Sequence, residues 1–195
     1  MLDLIESFNF LKTLPIQDYL VINSEADLKK SVEKEKFSFP IFLKISSSEH
    51  KLKIGGVKKA NDYGELLNYY KLMKTKFPNK KILVQKSMKG IEVIIGVKED
   101  RVFGKLLMIG AGGSGVEKAK DVSFRAFPII KEEIVKIIND LKISKNFSEN
   151  EKNLILDFAQ KLLKLNLEKV KELDINPLIV NEKEAKIIDA RIELD

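Results

Sequence analysis

Cysteine is absent from this sequence, and histidine occurs once, at position 50. The first absence removes a disulfide framework, a thiolate metal site and a thiol nucleophile, and it agrees with a reducing compartment. Nor does any apolar run approach the roughly 20 residues of a membrane span. The opening residues Met1, Leu2, Asp3, Leu4, Ile5 and Glu6 carry acids where a signal peptide needs a basic flank and an apolar run. The expectation is a cytoplasmic protein without membrane contact. Internal repeats and low-complexity linkers are also missing. A division near residues 80–90 is therefore read as a boundary between lobes of one 1–195 domain, roughly 15–85 and 86–195, and not as a flexible hinge.

The 195 residues are 44% hydrophobic and 33% charged, enough apolar content to bury a core as one domain or two small lobes and too much for disorder. The net charge of +6 raises the question of nucleic acid or another polyanion. The lysines, however, are dispersed among glutamates. Over residues 28–36, Lys29, Lys30, Lys34 and Lys36 share a helical stretch with Glu33 and Glu35, and no basic run is interleaved with aromatics for base stacking. Solvated helix faces, and no nucleic acid, are predicted. A phosphorylated small molecule would still benefit from a positive field.

A short amphipathic segment around Leu4, Ile5 and Phe8 comes first, then an apolar strand at Tyr19–Ile22. Ser24 with Asp27 opens a helix bearing Leu28 and Val32 in the manner of a capping box. Pro40 restricts Phe39 and launches a β-type run over 41–45. Asp62 starts a helix through Leu66, Leu67, Tyr70 and Met73 that ends at Phe77, Pro78 and Asn79. Strands are predicted over 82–88, 90–97 and 102–109, with Asp100 in a turn, followed by a polar strand over 121–125. Two amphipathic helices come next, one over 132–141 and one capped by Ser148 with Glu151. Leu154, Phe158, Leu162 and Leu165 of the second are read as core. Apolar runs 178–180 and 187–188 close the chain as antiparallel strands joined by the polar turn 181–184.

Chemistry concentrates in a few places. Asp174, Asn176 and Asp189 supply hard oxygens around the closing strands, whose pairing would bring those oxygens together. An amide and a carboxylate facing a cleft suit Mg²⁺ with waters and phosphate better than a closed Ca²⁺ cage. Capping of backbone groups is the plainer alternative. Lys44 stands between apolar strand neighbours, where a lysine must snorkel to water or pair with an anion such as phosphate, unless it guards an edge strand against aggregation. The polar loop 46–58 contains His50 and includes Gly55 and Gly56, which permit positive φ and close approach of N–H groups to an anion. Gly110, Gly112, Gly113 and Gly115 suit a loop folded on phosphates or a hairpin connection, and match neither a Walker motif nor the dinucleotide fingerprint. Arg125 reads as a phosphate clamp or a surface ion pair.

These residues form an ordered series. Phe39 to Lys44 is followed by His50-Lys51, Gly55-Gly56-Val57, Val84-Gln85, Gly90-Ile91-Glu92, Gly96-Val97 and Asp100 before Phe103-Gly104. Gly112-Gly113, Val116-Glu117, Asp121-Val122, Phe124-Arg125, Pro128, Asp174 to Leu178 and Asp189-Ala190-Arg191 complete it. From about Pro15 onward this resembles the ATP-grasp β subunit of ADP-forming acyl-CoA synthetases, the family that includes ADP-forming acetate–CoA ligase, with succinyl-CoA synthetase β more distant.

The resemblance implies an α+β protein with the ATP-grasp fold, two α+β lobes with the nucleotide between them. It implies reversible conversion of acyl-CoA, with acetyl-CoA expected, plus ADP and phosphate to free acid, CoA and ATP through an acyl phosphate and a phosphohistidine. The chain stops soon after Asp189 and so reads as the nucleotide half of a heteromer, with α2β2 one arrangement, whose CoA-binding α subunit carries the principal phosphorylated histidine. ATP or ADP and Mg²⁺ are the implied cofactors. Lys44 would contact phosphate or adenine, Gln85, Lys86 and Met88 the adenine edge, and Glu92 the ribose or adenine region. Gly55, Gly56, Gly112 and Gly113 would cover phosphates, and Asn176 and Asp189 would hold Mg²⁺ with Asp174 in support. His50 would receive phosphate, Glu117 accepting its imidazole N–H and Arg125 neutralising the charge. The loop between Lys44 and His50 is shorter than the family pattern, and Lys53 stands where an acid is expected; both bear on how far His50 reaches. An ATP-binding regulatory subunit without catalysis and a stand-alone ATP-grasp carboxylate ligase are the alternatives, and neither needs His50.

Overall fold

Apolar runs bounded by local caps fold as the elements of the chain, starting with α1 (Leu4–Phe10). The structure is a computed structural model and describes residues 1–49, 51, 53–113 and 121–195. It forms two units, one of residues 3–5 and 17–88, the other of residues 1–2, 6–16 and 89–195.

In the first unit, β1 (Tyr19–Ile22), β2 (Ile41–Ile45), β3 (Val57–Ala60) and β4 (Ile82–Lys86) make an antiparallel sheet in the order β1-β4-β2-β3. Apolar periodicity misses β3 because Lys58 and Lys59 take half its length; it pairs only with β2, and lysines on such an edge discourage further pairing. Two helices pack here, α2 (Glu25–Lys34) against β1 and α3 (Tyr63–Lys76) against β2, β3 and β4. Their Leu28, Val32, Leu66, Tyr70 and Met73 join Ile22, Leu43, Ile45 and Ile82 in one core. Each fully buried Leu or Ile there contributes about 1.5–3 kcal/mol. The helix starts follow the local chemistry. Asp62 Oδ1 accepts from the Glu65 N–H at 2.8 Å, and Ser24 Oγ from the Asp27 N–H at 3.1 Å. The return bond of Asp27 goes to the Asn23 N–H instead of the Ser24 N–H, so the box at α2 is shifted by one residue.

In the second unit, β5 (Ile91–Asp100), β6 (Gly104–Ala111), β7 (Val122–Ala126), β8 (Val170–Val180) and β10 (Ala190–Leu194) form an antiparallel sheet in the order β10-β8-β5-β6-β7, and β9 (Ala185–Ile187) pairs with β8. The closing hairpin pairs Leu178 with Ile187 as its apolar runs predict. β8 is far longer than its 178–180 run, and begins at Val170. Polar Lys171, Glu172, Asp174 and Asn176 hide its alternation, and Pro177 argues against a strand interior. The sheet accommodates that proline with a shift in register, Val93 facing Leu178 and Ile95 facing Ile175.

Helices α4 (Lys131–Asn139) and α5 (Glu149–Leu162) pack on each other, joined by a 3-10 turn (Lys142–Asn146). Ser148 Oγ accepts from the Glu151 N–H at 3.2 Å while Glu151 Oε2 accepts from the Ser148 N–H at 2.9 Å, a complete capping box. The buried stripe of α5 is Ile155, Phe158, Ala159 and Leu162; Leu154 and Leu165 are only half-buried, which corrects the expected face. Positions 155, 158, 159 and 162 also have helical spacing, and the small Ala159 conceals it. Among the described residues, no helix is long and apolar enough to cross a membrane.

Candidate functional site

Asn176 occupies the middle of the second sheet. Its backbone N–H donates to the Asp189 carbonyl at 3.1 Å, and the register continues with Ile175 opposite Ala190 and Asp174 opposite Arg191. Side chains alternate along a strand, so Asp174 and Asn176 share one face of β8, and the Asp189 backbone lies across from Asn176 just before β10. Leu173 and Ile175 turn to the other side and are buried.

The Asn176 side chain also reaches the glycine-rich run. The Gly113 N–H donates to Asn176 Oδ1 at 2.9 Å. Gly113 has φ +85°, a conformation that strains any other residue, and a Cβ there would fall 1.7 Å from Glu92 Oε2, so a substitution would also have to displace the Glu92 side chain. The Gly112 N–H donates to the Glu92 carbonyl at 2.8 Å, and a Cβ at Gly112 would meet the Val93 backbone at 2.5 Å. Glycine is required at both positions. Sequence-predicted residues Glu92, Gly112, Gly113, Asn176 and Asp189 thus come together within one unit.

The donor set can be tested against Mg²⁺. Asp174 Oδ1 is buried with no hydrogen-bond partner among the described residues, an oxygen that a cation or its water shell would satisfy. Burial pushes the Asp174 carboxyl up to about 6; the Arg191 guanidinium opposes this, while Glu172 and Asp189 add to it. A nearby cation would favour the ionised form. An amide oxygen has two lone pairs, of which Gly113 uses one on Asn176, and Asp189 Oδ1 accepts from the Ala190 N–H at 2.8 Å. Among the described residues, no group of three His, Cys, Asp or Glu side chains forms a closed cage. An amide and a carboxylate on one face, with the rest left to water and phosphate, fit Mg²⁺.

The first unit holds a second set of predicted residues. Lys44 lies in β2 between β3 and β4, opposite Val57 and Leu83, and is 4% exposed. Gln85 in β4 is 1% exposed, its amide directed at the Gln17 carbonyl at 3.5 Å. Lys86 pairs with Asp18 at 3.1 Å and lies 4.9 Å from the Phe37 ring centroid. Met88 follows β4 and is half-buried. Gly55 has φ +73°, and a Cβ at Gly56 would meet Ile45 at 2.7 Å. His50, between these elements in sequence, lies outside the described residues, as does Glu117.

Arg125 on β7 belongs to neither set. Its Nε pairs with Glu133 at 3.1 Å and its Nη2 with Asp140 at 2.6 Å, while Nη1 donates to Ser123 Oγ and to the Phe124 carbonyl. In the structure this side chain joins β7 to α4. Residues that sequence reasoning passes over frame the predicted loops. Ser46 Oγ donates to Asp3 Oδ1 at 2.8 Å and accepts from the Ile5 N–H at 3.0 Å, holding the start of the His50 loop. Lys76 Nζ donates to the Ile54 carbonyl at 2.8 Å near that loop's end. Asp121 accepts from the Lys142 and Ile143 N–H groups, both at 2.8 Å. Only the Asp121-Val122 pair in the ordered series hints at any of these.

The sequence profile of the ATP-grasp domain family matches residues 2–194. ADP-forming acetate–CoA ligase II of Archaeoglobus fulgidus is 32% identical over 202 residues, which cover 96% of this chain and 29% of that protein. The β subunit of ADP-forming acetate–CoA ligase I of Pyrococcus furiosus is 33% identical over 201 residues, covering 93% of this chain and 85% of that subunit. This chain therefore spans under a third of the length of the single-chain relative and most of the length of the subunit. Among solved structures, a Pyrococcus horikoshii protein matches with a TM-score of 0.86 at 30% identity, over 100% of this chain and 91% of that one. Dinucleotide-forming acetyl-coenzyme A synthetase 1 of Candidatus Korarchaeum cryptofilum, in complex with coenzyme A and Mg-AMPPCP, matches with a TM-score of 0.78 at 28% identity, over 98% and 92%.

Proposed function

The chain belongs to the ATP-grasp domain family, and from that premise we propose that it binds ADP or ATP with Mg²⁺ as the nucleotide subunit of an ADP-forming acyl-CoA synthetase. The observation that carries this reading is the joining of Glu92, Gly112, Gly113, Asn176 and Asp189 within one unit, with a positive-φ glycine at 113 and a glycine at 112 crowded by the Val93 backbone. Asn176 and Asp189 would hold Mg²⁺, with Asp174 in support, and the metal would offset phosphate charge. The Gly112 and Gly113 backbone would cover phosphates, Glu92 the ribose or adenine region. From the other unit Lys44, Gly55 and Gly56 would meet phosphate, and Gln85, Lys86 and Met88 the adenine edge. The names of the relatives, acetate–CoA ligases of which one is a β subunit, favour acetyl-CoA as acyl donor and a second subunit as partner, to which the reading assigns CoA binding. Within that complex His50 would carry the phosphoryl group, with Glu117 and Arg125 assisting.

Calorimetry of ADP tests the nucleotide reading. Binding should be tight with Mg²⁺ and weak in EDTA, because the two protein oxygens need phosphate and water to complete a metal shell. The double variant Asn176→Ala, Asp189→Ala should lose the gain from Mg²⁺. An unchanged affinity in that variant would overturn the metal assignment.

A further inference from the structure

Asn176 is not placed as a metal ligand alone would need to be. A ligand for Mg²⁺ needs an oxygen pointing to the cation; here the same Oδ1 already receives the Gly113 N–H at 2.9 Å. Gly113 is 63 residues away in sequence, two positions past the end of β6, and has φ +85°. Of the groups around this turn, the Glu92 carbonyl holds Gly112 and the Asn176 amide holds Gly113. Opposite Asn176, the Asp189 carboxylate Oδ1 accepts from its own neighbour Ala190.

We infer that Asn176 is a positioning residue for the glycine turn as well as a metal ligand, so that it supports nucleotide binding when no metal is present. The inference rests on the nucleotide reading above and adds a metal-independent role to it. Physically, glycines leave a turn with the largest conformational freedom, and a fixed amide acceptor removes part of that freedom before the nucleotide arrives. Mg²⁺ and Gly113 would share the two lone pairs of one oxygen, which couples metal binding to the order of the turn.

The test compares ADP affinity in EDTA and in Mg²⁺ for wild type, Asn176→Ala, Asn176→Asp and Asp189→Ala, with hydrogen exchange of the Gly113 amide read in the absence of nucleotide. In EDTA, Asn176→Ala should bind ADP about fivefold more weakly, the effect of one net hydrogen bond of roughly 1 kcal/mol. Its Gly113 amide should exchange faster. Asn176→Asp keeps an acceptor and should restore the slow exchange of the Gly113 amide in EDTA. Asp189→Ala tests the metal reading through its loss of affinity in Mg²⁺. Wild-type affinity and exchange for Asn176→Ala in EDTA would overturn the positioning role and leave the metal reading standing. If Mg²⁺ changed ADP affinity in none of the four proteins, the metal reading itself would fail, while the EDTA comparison would still decide the positioning role.

Discussion

Asp100 shows how much one carboxylate does at the tip of a hairpin. Its Oδ1 accepts the Val102 and Phe103 N–H groups at 2.8 and 3.0 Å, closing the turn from β5 to β6, where Gly104 takes φ +70°. The Phe103 N–H first and the Val102 N–H second hold its carboxyl below the ordinary 3.8. A carboxyl with a depressed folded pKa binds protons more readily in the unfolded chain, so its contribution is present above the ordinary value and lost as pH falls through the folded one. Asp100→Ala should therefore unfold at lower urea than wild type at pH 7, and the difference should shrink below about pH 4. A difference constant from pH 7 to pH 3 would remove the charge from the explanation. Such residues are legible in sequence because their bonds span two or three positions: Asp100, Asp62, Ser24 and Ser148 all act on nearby N–H groups. Asp121 and Ser46 are not, since their partners are 21 and 41 or more residues away and depend on how strands pair.

The elements sort in the same way. β1, β2 and α3 follow from short apolar runs and caps, whereas β3 and most of β8 are masked by polar residues whose strand character comes from pairing on a sheet edge or on both flanks of a central strand. The α5 stripe is a subtler miss, because Leu154 and Leu165 outrank Ala159 in hydrophobicity while Ala159 is the fully buried residue. The corrected face makes a quantitative claim. Phe158→Ala removes a side chain that is 2% exposed and should cost about 3–5 kcal/mol. Leu154→Ala, at a half-buried position, should cost clearly less. Urea denaturation of the two variants would decide it, and equal losses would mean that the stripe extends across both positions.

At the scale of the whole molecule, the family was legible because many short motifs occur in one order over most of the chain, and a chance match of each alone would be unremarkable. The Archaeoglobus fulgidus ligase is more than three times the length matched here, while the Pyrococcus furiosus β subunit is matched over 85% of its length, and the proposal above assigns the CoA chemistry to a second chain. In the proposed cycle, phosphate attacks the acyl-CoA carbonyl to give acyl phosphate and CoA, histidine takes the phosphoryl group and frees the acid, and ADP then takes it to form ATP. Transfer from a CoA site on another chain to nucleotide on this one needs a carrier, and His50 is the only imidazole in the sequence, in a run that includes Gly55 and Gly56. The chain alone should thus bind nucleotide without consuming acyl-CoA. Mixed with a CoA-binding α partner, it should make ATP, with an acid-labile, base-stable phosphoryl adduct on His50. His50→Ala in the mixture should stop ATP formation and spare phosphate-dependent cleavage of acyl-CoA on the partner. Full ATP synthesis by the His50→Ala complex would end the relay, and turnover by the isolated wild-type chain would end the two-chain assignment.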